Sequence, residues 1–210
     1  MDRIGGGESP IIDGTSVHLY LVRHCQGTGQ EPDAPLTALG REQAEHLADV
    51  LQGRGTARIV SSSYARARQT VEPLARHLGL SIETDERLIE RVLSPEPLED
   101  WRDRLRAAWD DHDLALPGGE SSRAATRRGL AAVEEILAGD RQPAVVVTHG
   151  NLLALLLHAF DGRPGYATWE QLSNPDVFEV VHAPRGRFTA TRAWPVEGRG
   201  AIRARRSVEC

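Results

Sequence analysis

A short apolar run, Val17 to Val22, ends on Arg23, His24 and Cys25 and continues into Gln26-Gly27-Thr28-Gly29. An arginine, a histidine and a thiol side by side at a strand end offer three chemistries: a thiol nucleophile, a metal centre or a phosphate site. A thiol-based phosphatase closes the loop around its thiolate with an arginine a few residues further on. Here the sixth residue after Cys25 is Glu31, of the wrong charge, and His24, the neighbouring base, is adjacent in sequence, which points the two side chains apart. Zinc could draw on His24, Cys25 and His149, but Arg23 and Arg66 flank them and repel a cation. A phosphate accounts for more of the residues. Two further apolar runs end in polar clusters, Ser61 to Arg68 and Thr148-His149-Gly150-Asn151. Guanidinium groups grip phosphate through paired donors, and helix N-termini after strand ends add backbone N–H groups. A neutral imidazole nitrogen can accept a phosphoryl group covalently. Fixed positive charge can neutralise the oxygens in the transition state, so no metal or other cofactor is expected.

These clusters need elements that bring them together. Val17 to Val22 is the first strand. Thr37 is expected to cap a helix running to about Leu51, with Ala44, Leu47, Ala48 and Leu51 on one face. Arg58-Ile59-Val60 is a short strand ending in three serines. The next helix carries Val71, Leu74, Ala75 and Leu78 and stops at Gly79. After a short strand and a helical middle, Ala144 to Val147 is apolar throughout, as a strand buried on both faces requires. An apolar helix, Leu152 to Leu157, follows. Phe178 to Val181 and Phe188 to Thr191 read as a hairpin through Pro184-Arg185-Gly186. Strands alternating with helices predict an α/β fold: a single-domain three-layer sandwich, its central sheet mostly parallel, with helices on both faces. Ligands bind such sheets beyond the carboxyl ends of the strands, where all three polar clusters would lie.

The chain has 210 residues, enough for one sizeable core, and a net charge of −5 from 25 basic and 30 acidic residues. That balance argues against a nucleic-acid partner. No run is long and apolar enough to span a membrane. The start, MDRIGGGESPIIDGTS, lacks an apolar signal region and reads as a loose tail. The expected organisation is a tail over 1–16, a catalytic domain over 17–195 and a tail over 196–210. The two cysteines, Cys25 and Cys210, are placed for no structural disulfide, and a cytoplasmic location follows as the expectation.

LVRHCQ at Leu21 to Gln26 resembles the LVRHG(E/Q) signature of the histidine phosphatase superfamily, also called phosphoglycerate mutase-like. The likeness continues through PLTALGREQA at Pro35 to Ala44, SSSYARARQT at Ser61 to Thr70, PGGES at Pro117 to Ser121 and VVVTHGN at Val145 to Asn151, in order, across residues 17 to 160. The resemblance implies that His24 is the nucleophile that becomes phosphohistidine, and that Arg23, Arg66 and His149 complete the phosphate pocket. Glu90, in ERLIER, falls where the family keeps its proton donor; Glu83, Asp85 and Glu86 lie close by. Gln26 and Gly150 are further candidates for phosphate or substrate contact. Two departures stand out. Cys25 replaces a glycine, and its thiol, beside two arginines, is expected to have a lowered pKa and to oxidise readily. Val92 to Pro97 replaces the family's G-x-W-E-G stretch, so the cover over the substrate differs.

The expected activity is metal-independent hydrolysis of a small phosphorylated substrate through phosphohistidine. A phosphoglycerate-mutase-type transferase uses the same residues, but the stretch from His24 to Pro35 is short and lacks the W-N found there in mutases. A catalytically silent phosphate- or protein-binding member of the fold is the third reading. The C-terminal hairpin offers an edge through which a homo-oligomer could form.

Overall fold

The computed structural model describes residues 11–12, 15–183 and 187–194. Most of the two expected tails, Cys210 and the hairpin turn at 184–186 lie outside these residues. The chain runs β1 (Ile11–Ile12), β2 (Thr15–Arg23), α1 (Ala38–Leu51), β3 (Arg58–Ser61), α2 (Ala65–Leu78), β4 (Ile82–Thr84), a 3-10 turn (Glu86–Leu88), α3 (Trp101–Asp110), α4 (Ser122–Ala138), β5 (Ala144–Thr148), α5 (Gly150–Asp161), α6 (Gly165–Gln171), β6 (Asp176–Ala183) and β7 (Arg187–Arg192). The first strand is longer than Val17 to Val22, and the helix expected at Leu152 to Leu157 begins two residues earlier and ends four residues later. Both extensions are polar at their tips, which hid them from a reading based on apolar runs.

Strand order is β4-β3-β5-β2-β6-β7, with β1 paired to the start of β2. The first four strands are mutually parallel, and β6 and β7 are antiparallel additions. Side-chain alternation splits the core into two layers. Tyr20, Val22, Ile59, Val145 and Val147 face α1 and α2 on one side. Leu19, Leu21, Val60, Ala144 and Val146 face α4 and α5 on the other. β5 is therefore apolar throughout because it is central and covered on both faces, every one of its residues being buried.

The caps follow the sequence. The Thr37 hydroxyl accepts from Gly40 N at 2.9 Å, and Gly79 ends α2 at φ +65, a conformation that favours glycine. Register then levels the strand ends: Arg23 pairs with Thr148, and Ser61 with Val147. The residues that follow, His24, Ser62 and His149, emerge at one edge of the sheet.

Two excursions leave that edge and meet. Glu120 N donates to Val92 O at 2.7 Å, so residues 93–119, with α3, form a closed loop. The other excursion is α6, which ends beside β6. Trp101 and Trp169 join the two in an edge contact with centroids 5.8 Å apart, and Arg106 lies 4.7 Å over the Tyr166 ring.

Candidate active site

Arg23, His24, Arg66 and His149 come together, as the strand-end argument requires. His24 is 8% exposed, Arg66 1% and His149 0%. The rings of His24 and His149 stand edge-on, with centroids 4.9 Å apart. Arg66, in the first turn of α2, lies between them. Its Nε reaches His24 Nε2 at 3.2 Å, and one terminal nitrogen reaches His149 Nδ1 at 3.2 Å. Its other terminal nitrogen donates to the carbonyls of Gln30 and Glu31 at 3.1 and 2.8 Å, so the loop after His24 folds over the guanidinium. Gly27 is required there: a Cβ would stand 2.8 Å from Arg66 Cδ.

These contacts fix the tautomers. Arginine only donates, so both imidazole nitrogens facing Arg66 are lone pairs. The one proton of neutral His24 is then on Nδ1, which donates to Cys25 O at 2.6 Å. The proton of His149 is on Nε2, which donates to Ser62 Oγ at 2.8 Å. Burial and the nearby charges of Arg66 and Arg23 push His24 down to about 3, so its imidazole is neutral across ordinary pH. Burial, followed by His24, Arg66 and Arg23, holds His149 well below the usual histidine range.

Arg23 closes one side. One terminal nitrogen donates to Leu172 O at 3.1 Å, while its Nε is buried without a partner. Gly150 makes room for it, since a Cβ there would lie 3.1 Å from three guanidinium atoms. The Asn174 amide donates to His24 O at 2.8 Å, so the segment after α6 holds both Arg23 and His24. Burial lowers both Arg23 and Arg66, and the Glu90 carboxylate acts on each to keep it charged.

Glu90 lies against the start of α5. Its Oε2 accepts from Asn151 N and its Oε1 from Leu152 N, both at 3.0 Å, and Oε1 also accepts from Arg91 N at 2.8 Å. The carboxylate thus caps the helix that begins immediately after His149. Of the nearby acids, Asp85 pairs with Arg87, and Glu83 pairs with Arg58 and Arg141. The PGGES stretch serves as support: Ser121 caps α4, and Glu120 pairs with Arg128, which also donates to the carbonyls of Arg87 and Ile89 and so holds the turn before Glu90.

One expectation changes. Cys25 is not a reactive thiol. It is 0% exposed, packs with Leu36 and Ala44 away from the arginines, and burial pushes it up to about 12. Gln26 accepts from the Thr37 hydroxyl at 2.9 Å, and its N–H donates to Gln43, which ties the loop to the start of α1. Arg68 is exposed. Sequence reasoning missed Ser62, Tyr64 and Asn174. Ser62 and Tyr64 stood inside the quoted SSSYARARQT stretch, whereas nothing local marks Asn174. Among the described residues, no group of three or more His, Cys, Asp or Glu side chains is arranged to hold a metal ion, and no helix is long and apolar enough to cross a membrane.

The site as a whole is a largely buried cluster of two neutral imidazoles, two charged guanidiniums and one adjacent carboxylate, a set suited to an oxyanion. Residues 19–193 match the family model of the histidine phosphatase superfamily (branch 1). "Probable phosphoglycerate mutase GpmB" of Yersinia pestis (strain Pestoides F) is 32% identical over 171 residues, covering 72% of this chain and 78% of that protein. Among solved structures, mycobacterial glucosyl-3-phosphoglycerate phosphatase is similar at a TM-score of 0.68 and 31% identity, over 83% of this chain and 96% of that one. Bacillus stearothermophilus YhfR is similar at 0.67 and 28%, over 83% and 95%. The chain belongs to the histidine phosphatase superfamily, branch 1.

Proposed function

We propose that the protein hydrolyses small phosphomonoesters through a phosphohistidine, without a metal. The observation that carries this reading is the His24 tautomer: with Nδ1–H committed to Cys25 O, the Nε2 lone pair faces the arginine-lined pocket. The ester phosphate docks on Arg23, Arg66 and His149. His24 Nε2 attacks phosphorus in line, the phosphorus–oxygen ester bond breaks, and protonated Glu90 gives its proton to the departing alkoxide. Water then attacks the phosphorus of phosphohistidine, Glu90 takes the water proton, and His24 and orthophosphate are released. Positioning and fixed positive charge supply most of the acceleration. Gly150 contributes by admitting Arg23, and Gln26 by anchoring the loop over Arg66.

Hydrolysis of an aryl phosphate in excess EDTA, with wild type and His24→Ala side by side, tests this. Activity that survives EDTA and vanishes in the variant is the expected result; EDTA-sensitive activity, or activity kept by His24→Ala, overturns it. The mutase reading draws on the name of the Yersinia relative. It predicts that phosphoryl transfer to a bound hydroxy-acid outpaces release of orthophosphate, while the short stretch from His24 to Pro35 favours water.

A further inference from the structure

His149 has more constraint on its protons than docking a phosphate requires. Its Nε2–H donates to Ser62 Oγ at 2.8 Å, and Ser62 is 0% exposed. The same hydroxyl oxygen accepts from Tyr64 N at 3.3 Å, which leaves its second lone pair for His149. With Arg66 donating to Nδ1, Ser62 Oγ is the acceptor towards His149 and Nε2 carries the ring hydrogen. Any added proton has to enter at Nδ1, the nitrogen that faces Arg66.

That placement matters once an oxyanion arrives. Arg66 now donates to the lone pairs of both His149 Nδ1 and His24 Nε2. A bound phosphoryl group takes those arginine donors for its own oxygens. His24 Nε2 must stay a lone pair, because it attacks. His149 Nδ1 would then present a lone pair to a dianion, which repels it, unless it is protonated. The groups around His149 are Arg23 at the end of β2 and His24 just after it, Tyr64 and Arg66 from the start of α2, and Arg128 from α4, with Glu90 lying at the start of its own helix. Their balance is cationic and keeps the ring neutral while the pocket is empty; two negative charges on the ligand reverse it.

We infer that Ser62 is a positioning residue that pins the Nε2 proton of His149, so that binding of a phosphate dianion draws one proton onto Nδ1 and turns His149 into an imidazolium donor. The inference rests on the proposed phosphate-docking role of this pocket. Ser62 touches no substrate; it acts by deciding which nitrogen can change charge. Substrate binding then becomes proton-linked, and the affinity for a dianion falls as pH rises above neutrality.

Tungstate, a dianion that does not titrate near neutral pH, serves as the probe. Glu90→Gln removes the other group that could take up a proton. Calorimetry of tungstate binding to this variant, in buffers of different ionisation enthalpy, should give an uptake of close to one proton. Nitrogen-15 spectra of the wild type should show His149 changing from neutral to doubly protonated. Ser62→Ala should bind tungstate ~10-fold more weakly, since one hydrogen bond to a charged group is lost, and its pH dependence should flatten. Thermal unfolding of Ser62→Ala checks that the variant is folded, and the wild-type spectra decide the question without it. Tungstate binding with no proton uptake and a neutral His149 overturns the inference but leaves the phosphatase reading intact. Absence of tungstate binding together with absence of aryl phosphate hydrolysis overturns both.

Discussion

His24 combines two properties that usually conflict. It is buried beside two guanidiniums, and the proposed attack requires it to keep a free lone pair. The same burial and charge that push it down to about 3 remove the proton that would block attack. The acid limb of kcat/KM should therefore lie far below the usual histidine value of 6.5, with activity retained on lowering the pH through that value until the substrate dianion itself protonates. A pH–rate profile on a substrate of low second pKa checks this, and an inflection near 6.5 assigned to His24 would contradict it. Cys25 is a second case in which position alone misled. In sequence it sits beside His24 and two residues from Arg23, which suggested an activated thiol. The strand alternation that separates Leu19 and Leu21 from Tyr20 and Val22 ends at Arg23, so no periodicity showed which way the thiol turns. It turns into the packing of Leu36 and Ala44. Peroxide at levels that oxidise free thiols should leave native activity unchanged, with peptide mapping finding Cys25 unmodified.

At the scale of elements, the site depends on ties between segments far apart in sequence. Thr70 in α2 is one. Its hydroxyl accepts from Cys25 N at 2.9 Å and donates to Arg66 O at 2.8 Å, linking the loop after His24 to the turn that carries Arg66. Thr70→Val keeps the shape and removes both bonds. It should cost about 1–3 kcal/mol in denaturant unfolding, because the Cys25 N–H is left buried and unpaired, while Thr70→Ser should recover most of the loss. Glu90 is another tie. It was legible as the candidate acid from its place in ERLIER, but its role as the cap of α5 was not, because that contact joins residues 61 and 62 positions apart. In Glu90→Gln the amide N–H2 must face one of the backbone N–H groups that the carboxylate now accepts. The variant should lose about 1 kcal/mol of stability and, separately, ~10²–10⁴-fold in kcat for an ester with a poor leaving group. If Glu90 were only a cap, stability would fall and kcat would hold. Helix caps, strand ends and the hairpin were readable because each is set by a few neighbouring residues, as with Thr37 and Gly79. The support from Ser62, Asn174 and Arg128 was not, because each of those contacts exists only after the strands align.

For the whole molecule, the pocket is a cost carried by the fold. The chain is acidic overall, at −5, yet it gathers one buried and one half-buried arginine and two neutral buried histidines at one sheet edge. The alternating strands and their polar ends were enough to foresee that gathering; how burial and charge would act on the groups depended on the packed surroundings. Stability should record it. His24 is held at about 3 in the folded state and is ordinary, near 6.5, when unfolded. Below 6.5 the unfolded chain binds a proton that the folded chain refuses, so stability falls as the pH drops and levels only near the folded value. His149 shifts in the same direction. Each of these two fully buried groups contributes a slope of about 1.4 kcal/mol per pH unit in that window. The carboxylates that are lowered by their arginine partners, Glu83, Asp85, Asp113 and Asp161, have the same sign but act below their ordinary values of 4.5 and 3.8. The interval from 6.5 down to about 4.5 therefore belongs mainly to the histidines. Denaturant unfolding across that interval should show a steep loss of stability in the wild type and about half the slope in His24→Gln, with the carboxylates' own contribution below 4.5 unchanged. Saturating tungstate should flatten the remaining slope, because the bound dianion lets folded His149 take its proton. A flat profile without ligand would mean that both rings are already charged in the folded protein, and the neutral nucleophile on which the proposed chemistry depends would have to be abandoned.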